Sequence, residues 1–500
     1  MNRAGLCVGV LVAASALAAD DPHVLRYKQF FREEISGRWP REALSEQRVV
    51  MVRGFQRHDV PDAARWLMLT ALNDPAGDVA REAVRVLSLY KSPETVTEMA
   101  SLWEKGFRKK PEKKALLLHA FGKIKFDAAE RPILLGLKDS DARIVAAACL
   151  AVGLGPRLDL RGALEKALKH KEPRVRAAAA EALGELGGEQ SLPRIFDAFC
   201  RDPSHRVRYD AWGALRRLTM LDLPCVPTEW LDFWKKRSGE VAEEGPNPWG
   251  TTFRTTRNAA KPANLFRIPL LADRICFVLD VSNDMNSPWR IDHKTERKKK
   301  PGERIPNFFG VKTRWDLVKA YVKQALKQLP DGVEVAFVFY HMEVSVFPEA
   351  PRYLKLSKST RDKIFKHLDE EVKLGATTAM YEGLQAGWGF LKGGDATTNF
   401  KRGCDTLVFT TDGRPTHGKL AKQPDRVRDE VWRVALARNL HVHAIGLHNH
   451  QFDLLQAMAK DSGGLYVHAQ EHGDTAEPQD LDFWPEKKKA FEASRKKKRQ

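Results

Sequence analysis

The sequence predicts two architectures in one chain. An all-α solenoid of stacked helical repeats is followed by an α/β domain on a doubly wound, mostly parallel sheet. Three observations carry this. Residues 40 to 220 contain a recurring polar-turn-plus-helix unit. Residues 273 to 470 alternate strand-like and helix-like segments. At the head of that second part, the apolar run Ile275-Cys276-Phe277-Val278-Leu279 ends abruptly in Asp280, with further oxygens at Ser282 and Asp284. A β-branched and aromatic run of this kind reads as a strand buried on both faces.

Taken in order, residues 1–19 read as a signal peptide. Arg3 supplies a positive start, Leu6 to Leu17 an apolar stretch, and Ala16-Leu17-Ala18 a small-x-small cleavage site. The run is shorter than the ~20 residues a membrane span needs, and no other stretch is long and apolar enough. The expectation is a secreted or periplasmic protein with no transmembrane segment.

At 500 residues and 43% hydrophobic content the chain is too long for one core and apolar enough for two or three domains. Of its 6 Cys, Cys7 leaves with the signal, so the rest cannot all pair. Cys276 and Cys404 fall on neighbouring strands. With Asp280 and Asp412 level they are offset by four residues, roughly 13 Å along the strand, beyond the ~7 Å between Cα atoms that a disulfide tolerates. Cys200 and Cys225 remain open, and no Cys spacing suits zinc. Formal net charge is +18, and it is clustered at Lys105–Lys114, Lys294–Arg304 and Lys487–Arg499. Such clusters favour acidic partners, or are simply solvated loops and tails.

Residues 20–237 form the repeat region. Asp74-Pro75 precedes Val79-Ala80-Arg81-Glu82-Ala83; Asp139-Ser140-Asp141 precedes Arg143-Ile144-Val145; Glu172-Pro173 precedes Val175-Arg176-Ala177; Asp202-Pro203 precedes Val207-Arg208-Tyr209. The markers Val79, Ile144, Val175 and Val207 are 65, 31 and 32 residues apart, so a hidden copy is expected near Glu112 to Leu116. Each unit reads as a turn, a helix with i, i+3, i+4 apolar spacing and a second helix, and such units bury their faces only by stacking. The pattern is similar to HEAT-like repeats, which implies a scaffold or interaction surface without chemistry of its own. Trp230, Phe233 and Trp234 share one helical face and are expected to cap the last repeat. Residues 238–272 read as a linker around Gly245-Pro246-Asn247-Pro248.

In the second domain, strands are expected at 274–280, 334–340, 344–347, 406–410, 441–447 and 465–468, separated by helices from about 314, 360–372, 375–391, 424–438 and 452–461. Ligands of open α/β sheets bind outside the carboxyl ends of the strands, which is where Asp280, Ser282 and Asp284 emerge. Two later stretches join them: Gly375-Ala376-Thr377-Thr378 and Asp405-Thr406-Leu407-Val408-Phe409-Thr410-Thr411-Asp412-Gly413. Together the three resemble the metal-ion-dependent adhesion site of von Willebrand factor type A domains over about residues 273–470. The family pattern is Asp-x-Ser-x-Ser, a Thr after a Gly-Gly-like turn, and Asp-Gly after the fourth strand. The resemblance implies a Rossmann-like fold and a divalent cation, magnesium first, with calcium or manganese as alternatives. Its ligands would be Asp280, Ser282, Asp284, Thr377 and Asp412, one coordination position being left for an acidic side chain of a protein ligand. Hard divalent cations take oxygen donors of these types. Asp284 stands where the family has Ser, and the added carboxylate should raise cation affinity while weakening the pull on an acidic ligand.

An insertion, Ser287 to Thr313, carries Lys294, Arg297, Lys298, Lys299, Lys300 and Arg304 and leaves the strand end beside this site, where it would recruit an acidic ligand. His441, His443, His448 and His450 do not read as a zinc set, because the first pair lies on a strand and the second beyond its end. No Ser-His-Asp elbow or phosphate loop is present, and no residue stands out as the base that metal-assisted hydrolysis needs. Residues 471–500 form a basic tail expected to be disordered. The function expected is therefore an exported, non-enzymatic binding or adhesion protein. The alternative is a polyanion-binding protein (nucleic acid, acidic polysaccharide or anionic surface) with a vestigial or structural metal site.

Overall fold

A computed structural model describes residues 45–238, 262–289 and 306–469, apart from 108–109, 126, 156, 307, 351, 391–399 and 449. The expected signal peptide, most of the linker, the basic part of the insertion and the tail lie outside the described residues.

The repeat region is helical throughout: α1 (Ser45–Gly54), α2 (Pro61–Leu69), α3 (Gly77–Leu87), α4 (Pro93–Gly106), α5 (Pro111–Lys123), α6 (Glu130–Gly136), α7 (Ala142–Gly153), α8 (Arg161–Ala167), α9 (Pro173–Leu186), α10 (Leu192–Arg201), α11 (His205–Thr219) and α12 (Pro227–Ser238). The polar turns are helix starts. Pro173 opens α9, the Asp141 side chain accepts from the Arg143 amide at the head of α7, and Ser204 accepts from the Val207 amide at α11. The markers Val79, Ile144, Val175 and Val207 are buried, and the hidden copy is α5, where Leu116 is buried too. The helices α3, α5, α7, α9 and α11 stack in one row, and a small-residue repeat sets their spacing. Gly122, Gly153 and Gly184 recur every 31 residues. A Cβ at each would lie 2.7 Å from Ala151 O, 3.1 Å from Ala182 Cα and 2.7 Å from Ala214 Cα, so only glycine lets successive backbones approach this closely. Trp230 is fully buried on α12, edge-on to Phe199, and closes the stack.

The second domain carries β1 (Ala263–Leu265), β2 (Ile268–Leu270), β3 (Arg274–Asp280), β4 (Glu334–Tyr340), β5 (Val344–Phe347), β6 (Leu354–Lys355), β7 (Thr406–Thr411), β8 (His441–Leu447) and β9 (Tyr466–Ala469). The main sheet runs β5-β4-β3-β7-β8-β9, with β6 also on β4. Pairs β3–β4, β3–β7, β7–β8 and β8–β9 are parallel, so the sheet is mostly parallel as expected. Helices α13 (Arg314–Gln328), α14 (Lys358–Lys366), α15 (Met380–Trp388), α16 (Pro424–Arg438) and α17 (Phe452–Asp461) connect the strands. On β3, Ile275, Phe277 and Leu279 enter one apolar core and Cys276 and Val278 the other, which is what an uninterrupted hydrophobic strand requires. The β1–β2 hairpin packs on α13 through Phe266, stacked at 3.9 Å on Tyr321. The β3–β7 register pairs Cys276 with Leu407, so Cys404 is offset by three residues rather than four. Asp412 sits one residue beyond the level of Asp280, because Leu279 pairs with Thr410. The five described cysteines are free thiols.

The row of repeat helices is not open. It clasps the second domain at the amino ends of its parallel strands and along α16. Arg174 donates to Arg438 O at 2.6 Å and to Gly403 O and Cys404 O at 2.8 Å. Arg206 donates to Asp405 O at 2.6 Å and Asn439 Oδ1 at 3.1 Å, and its Nε pairs with Asp210 at 2.9 Å. Arg81 bridges Asp429 at 2.7 Å and Asp461 at 2.9 Å. The Gly77 amide donates to Glu430 Oε1 at 2.8 Å.

Candidate metal centre

At the carboxyl end of β3, Asp280 and Ser282 turn back over the sheet. Both are buried. Asp280 Oδ1 accepts from the Ser282 amide at 2.9 Å, and Oδ2 from Thr411 Oγ1 at 2.7 Å, with Tyr340 OH at 3.5 Å. Burial first, then the charge of Asp412, push the Asp280 carboxyl up to about 7, against these hydrogen bonds. Asp412 is buried as well; Oδ2 accepts from Arg314 Nη1 at 2.8 Å. Burial raises its pKa while Arg314 opposes the shift.

Thr377 follows a turn whose first residue lies beside Ser282. Gly375 bridges Ser282 and donates its amide to Val281 O at 2.9 Å; a Cβ there would run into the His341 ring. The turn then forces Thr377 to φ +58°, a strained setting for a β-branched residue. It is held from both sides: Met342 N donates to Ala376 O at 3.0 Å, Ala379 N to His341 O at 2.9 Å, and Thr378 N to Thr416 Oγ1 at 2.9 Å. Thr377 and Asp284 are both exposed, Asp284 on a short 3-10 turn.

The arrangement fits a hard cation. Ser282 Oγ and Asp412 Oδ1 are buried and have no hydrogen-bond partner. Buried oxygens of this kind are ordinarily satisfied, and these two with the buried Asp280 carboxylate beside them make a donor set for a divalent ion. Asp284 lies close enough for its charge to push the Asp412 carboxyl further up. Among the described residues, the one group of three His, Cys, Asp or Glu ligand atoms within 4.8 Å of one another lies elsewhere. The insertion leaves and returns next to this site, since Trp289 N donates to Lys312 O at 2.8 Å and Arg314 N to Ser287 O at 3.1 Å. Lys294 to Arg304 are outside the described residues.

Sequence reading missed Arg314, Thr411, Tyr340 and Thr416. Thr411 precedes Asp412 and was within reach of the pattern, but nothing in spacing marks an arginine opening α13 as a partner of Asp412. The four histidines do not gather. His441, His443 and His450 are buried, and His450 Nε2 pairs with Tyr466 OH at 2.6 Å.

Fold and site together define a class: a helical-repeat clasp carrying a parallel α/β domain with an oxygen-rich strand-end centre. In family terms, residues 130–216 carry HEAT repeats and residues 311–468 a von Willebrand factor type A domain. Such domains are in general interaction modules, and a protein-interaction role is what this match supports. No curated protein matches the chain. Similar solved structures include a von Willebrand factor type A protein from Catenulispora acidiphila, 16% identical, covering 40% of each chain, TM-score 0.29. Another is proximal thread matrix protein 1 from the mussel byssus, 17% identical over 39% of this chain and 42% of that one, TM-score 0.25. The same mussel protein with a zinc-occupied MIDAS motif is 17% identical over 40% and 44%, TM-score 0.27. This chain thus spans less than half the length of these structures. No helix among the described residues is long and apolar enough to cross a membrane.

Proposed function

We propose that this is an exported, non-enzymatic binding protein that captures a protein ligand through a divalent cation on its type A domain. Asp280, Ser282, Thr377 and Asp412 hold the ion, with Asp284 at the rim. Magnesium is the cation first expected, with calcium or manganese as alternatives, and an acidic side chain of the ligand takes the position left open. The observation that carries this reading is the pair of buried, unpartnered oxygens, Ser282 Oγ and Asp412 Oδ1, beside the buried carboxylate of Asp280. The repeats act as a scaffold, since their inner row is occupied by the chain's own second domain.

Calorimetric titration of magnesium, calcium and manganese into metal-stripped full chain tests it. We expect one equivalent bound by the parent and lost in Asp280→Ala, with circular dichroism unchanged. A parent that binds no cation would overturn the reading and turn attention to polyanion binding at the basic clusters. That alternative is separated by its steep loss of affinity with added salt and its indifference to chelator.

A further inference from the structure

Three titratable side chains that the strand-end centre does not use meet between the two domains. Glu181 on α9, Asp210 on α11 and His441 at the start of β8 each offer a ligand atom, all within 4.8 Å of one another. They border a cavity of about 220 Å³. His441 Nε2 lies 3.4 Å from Asp210 Oδ1. Arg206 Nε occupies the other oxygen of Asp210 at 2.9 Å, so Oδ1 is the atom left toward the histidine.

Two further observations point to a ligand here. His441 is 3% exposed, its Nε2 is the ring nitrogen toward Asp210, its Nδ1 has no hydrogen-bond partner, and its ring lies edge-on to Tyr209 at 5.5 Å and His443 at 6.5 Å and against Gly463. Glu181 accepts no hydrogen bond among the described residues; its nearest charges are Arg217 and Arg206, with Glu185 opposing.

We propose that Glu181, Asp210 and His441 form an inter-domain site for a borderline divalent transition ion such as zinc, which ties the repeat row to the type A sheet. A tetrahedral zinc ion with bonds of about 2.0–2.1 Å holds neighbouring ligand atoms about 3.4 Å apart, the separation found for Asp210 and His441. The glutamate closes onto the ion by side-chain rotation. Water from the cavity supplies the fourth position. One imidazole with two carboxylates suits zinc-class ions better than magnesium, whereas the all-oxygen donors of the strand-end centre also suit magnesium. The two carboxylates balance the ion's charge, and Arg206 keeps its hydrogen bond to the other Asp210 oxygen and its backbone carbonyl contacts.

The test uses the metal-stripped full chain in the Asp280→Ala background, which removes the strand-end centre and so separates this proposal from the one above. Zinc is titrated calorimetrically, and cobalt is followed by its visible absorption. We expect one zinc equivalent per chain and a tetrahedral cobalt spectrum. Both should vanish with His441→Gln added, and Glu181→Gln should weaken zinc at least tenfold. Glu181 is partly exposed, so its variant decides the matter if the histidine variant does not fold; unchanged melting in chelator shows that it does. No zinc bound in Asp280→Ala, or an equivalent that survives Glu181→Gln at full affinity, overturns the proposal.

Discussion

The two ends of the same parallel sheet are opposites. At the amino ends of the strands, two buried arginines from the repeats, Arg174 and Arg206, fill backbone carbonyls of Gly403, Cys404, Asp405 and Arg438. Asp405 accepts from the amides of Asp273 and Arg274 at 3.1 and 2.9 Å. The Asp273 carboxyl lies below its usual range despite its burial, because His205 and Ser204 hydrogen-bond it. At the carboxyl ends, buried oxygens are left without partners and Asp280 is pushed up rather than down. The first end, apart from the Glu181–Asp210–His441 cluster, is tied by these contacts and serves the fold. The other is under-satisfied at a cost to stability, and that is the pattern of a site kept for something that binds.

The comparison breaks most visibly at Arg206. It is 1% exposed and paired with Asp210, which is 3% exposed at its side chain. Arg206→Ala leaves that carboxylate buried beside unmatched carbonyls of Asp405 and Asn439. Removing one partner of a buried pair costs about 3–5 kcal/mol. We expect the urea midpoint to fall and unfolding to split into two transitions as the domains come apart. The strand-end cation affinity should change little. A single transition with an unchanged midpoint would show that the clasp does not hold the domains together.

Acid should attack the same end. His443 is buried on β8, edge-on to Tyr209 of the repeats at 5.7 Å, and accepts the Leu465 amide on Nδ1 at 3.0 Å. Burial, aided by Arg206, lowers its pKa from 6.5 to about 3. The folded state therefore binds fewer protons than the unfolded one between those values. Stability is intact above pH 6.5 and is lost as pH falls below it, by about 2 kcal/mol at pH 5. His443→Gln should flatten that part of the stability curve in pH-dependent urea unfolding. A variant curve parallel to the parent would assign the acid loss to other groups.

How much of this was legible follows from what each feature depends on. Short-range patterns decide the strand β3, the repeat markers and the loops of the strand-end centre, and it was the resemblance to the adhesion-site pattern that named Asp280, Ser282, Asp284, Thr377 and Asp412. The glycine series Gly122, Gly153 and Gly184 was equally visible, but its meaning depends on helix–helix distance. The clasp was not legible. Arg174 and Arg206 sit at the starts of α9 and α11, where arginine is ordinarily solvated, and their partners are backbone carbonyls more than 190 residues away, which no side-chain pattern encodes. For the same reason His441 was weighed only against its neighbours in sequence, while its partners Glu181 and Asp210 come from the repeats. Asp284 was counted as a ligand from its place in the resembled pattern, and its exposure on a 3-10 turn depends on the chain beyond.

The finest distinction between the two ends lies in their arginines. Arg206 completes its end, whereas Arg314 stands beside a carboxylate that a cation would use. Arg314 Nη1 is 2.8 Å from Asp412 Oδ2 and 3.4 Å from Asp284 O, and the residue is largely buried. A fixed positive charge this close to the centre repels an incoming divalent ion, and low dielectric sharpens the effect. It also holds Asp412 in place, but Asp412 follows directly on β7, whose backbone already fixes it. Repulsion should therefore dominate. Arg314→Gln, which keeps a donor without the charge, is expected to tighten cation binding about tenfold, or about 1.4 kcal/mol, read by calorimetry at fixed ionic strength. The metal-free variant should at the same time be less stable than the parent, because Asp412 loses its only charged partner among the described residues. Weaker cation binding would mean instead that Arg314 serves to orient the ligand carboxylate, and that both ends of the sheet use arginine for the same purpose.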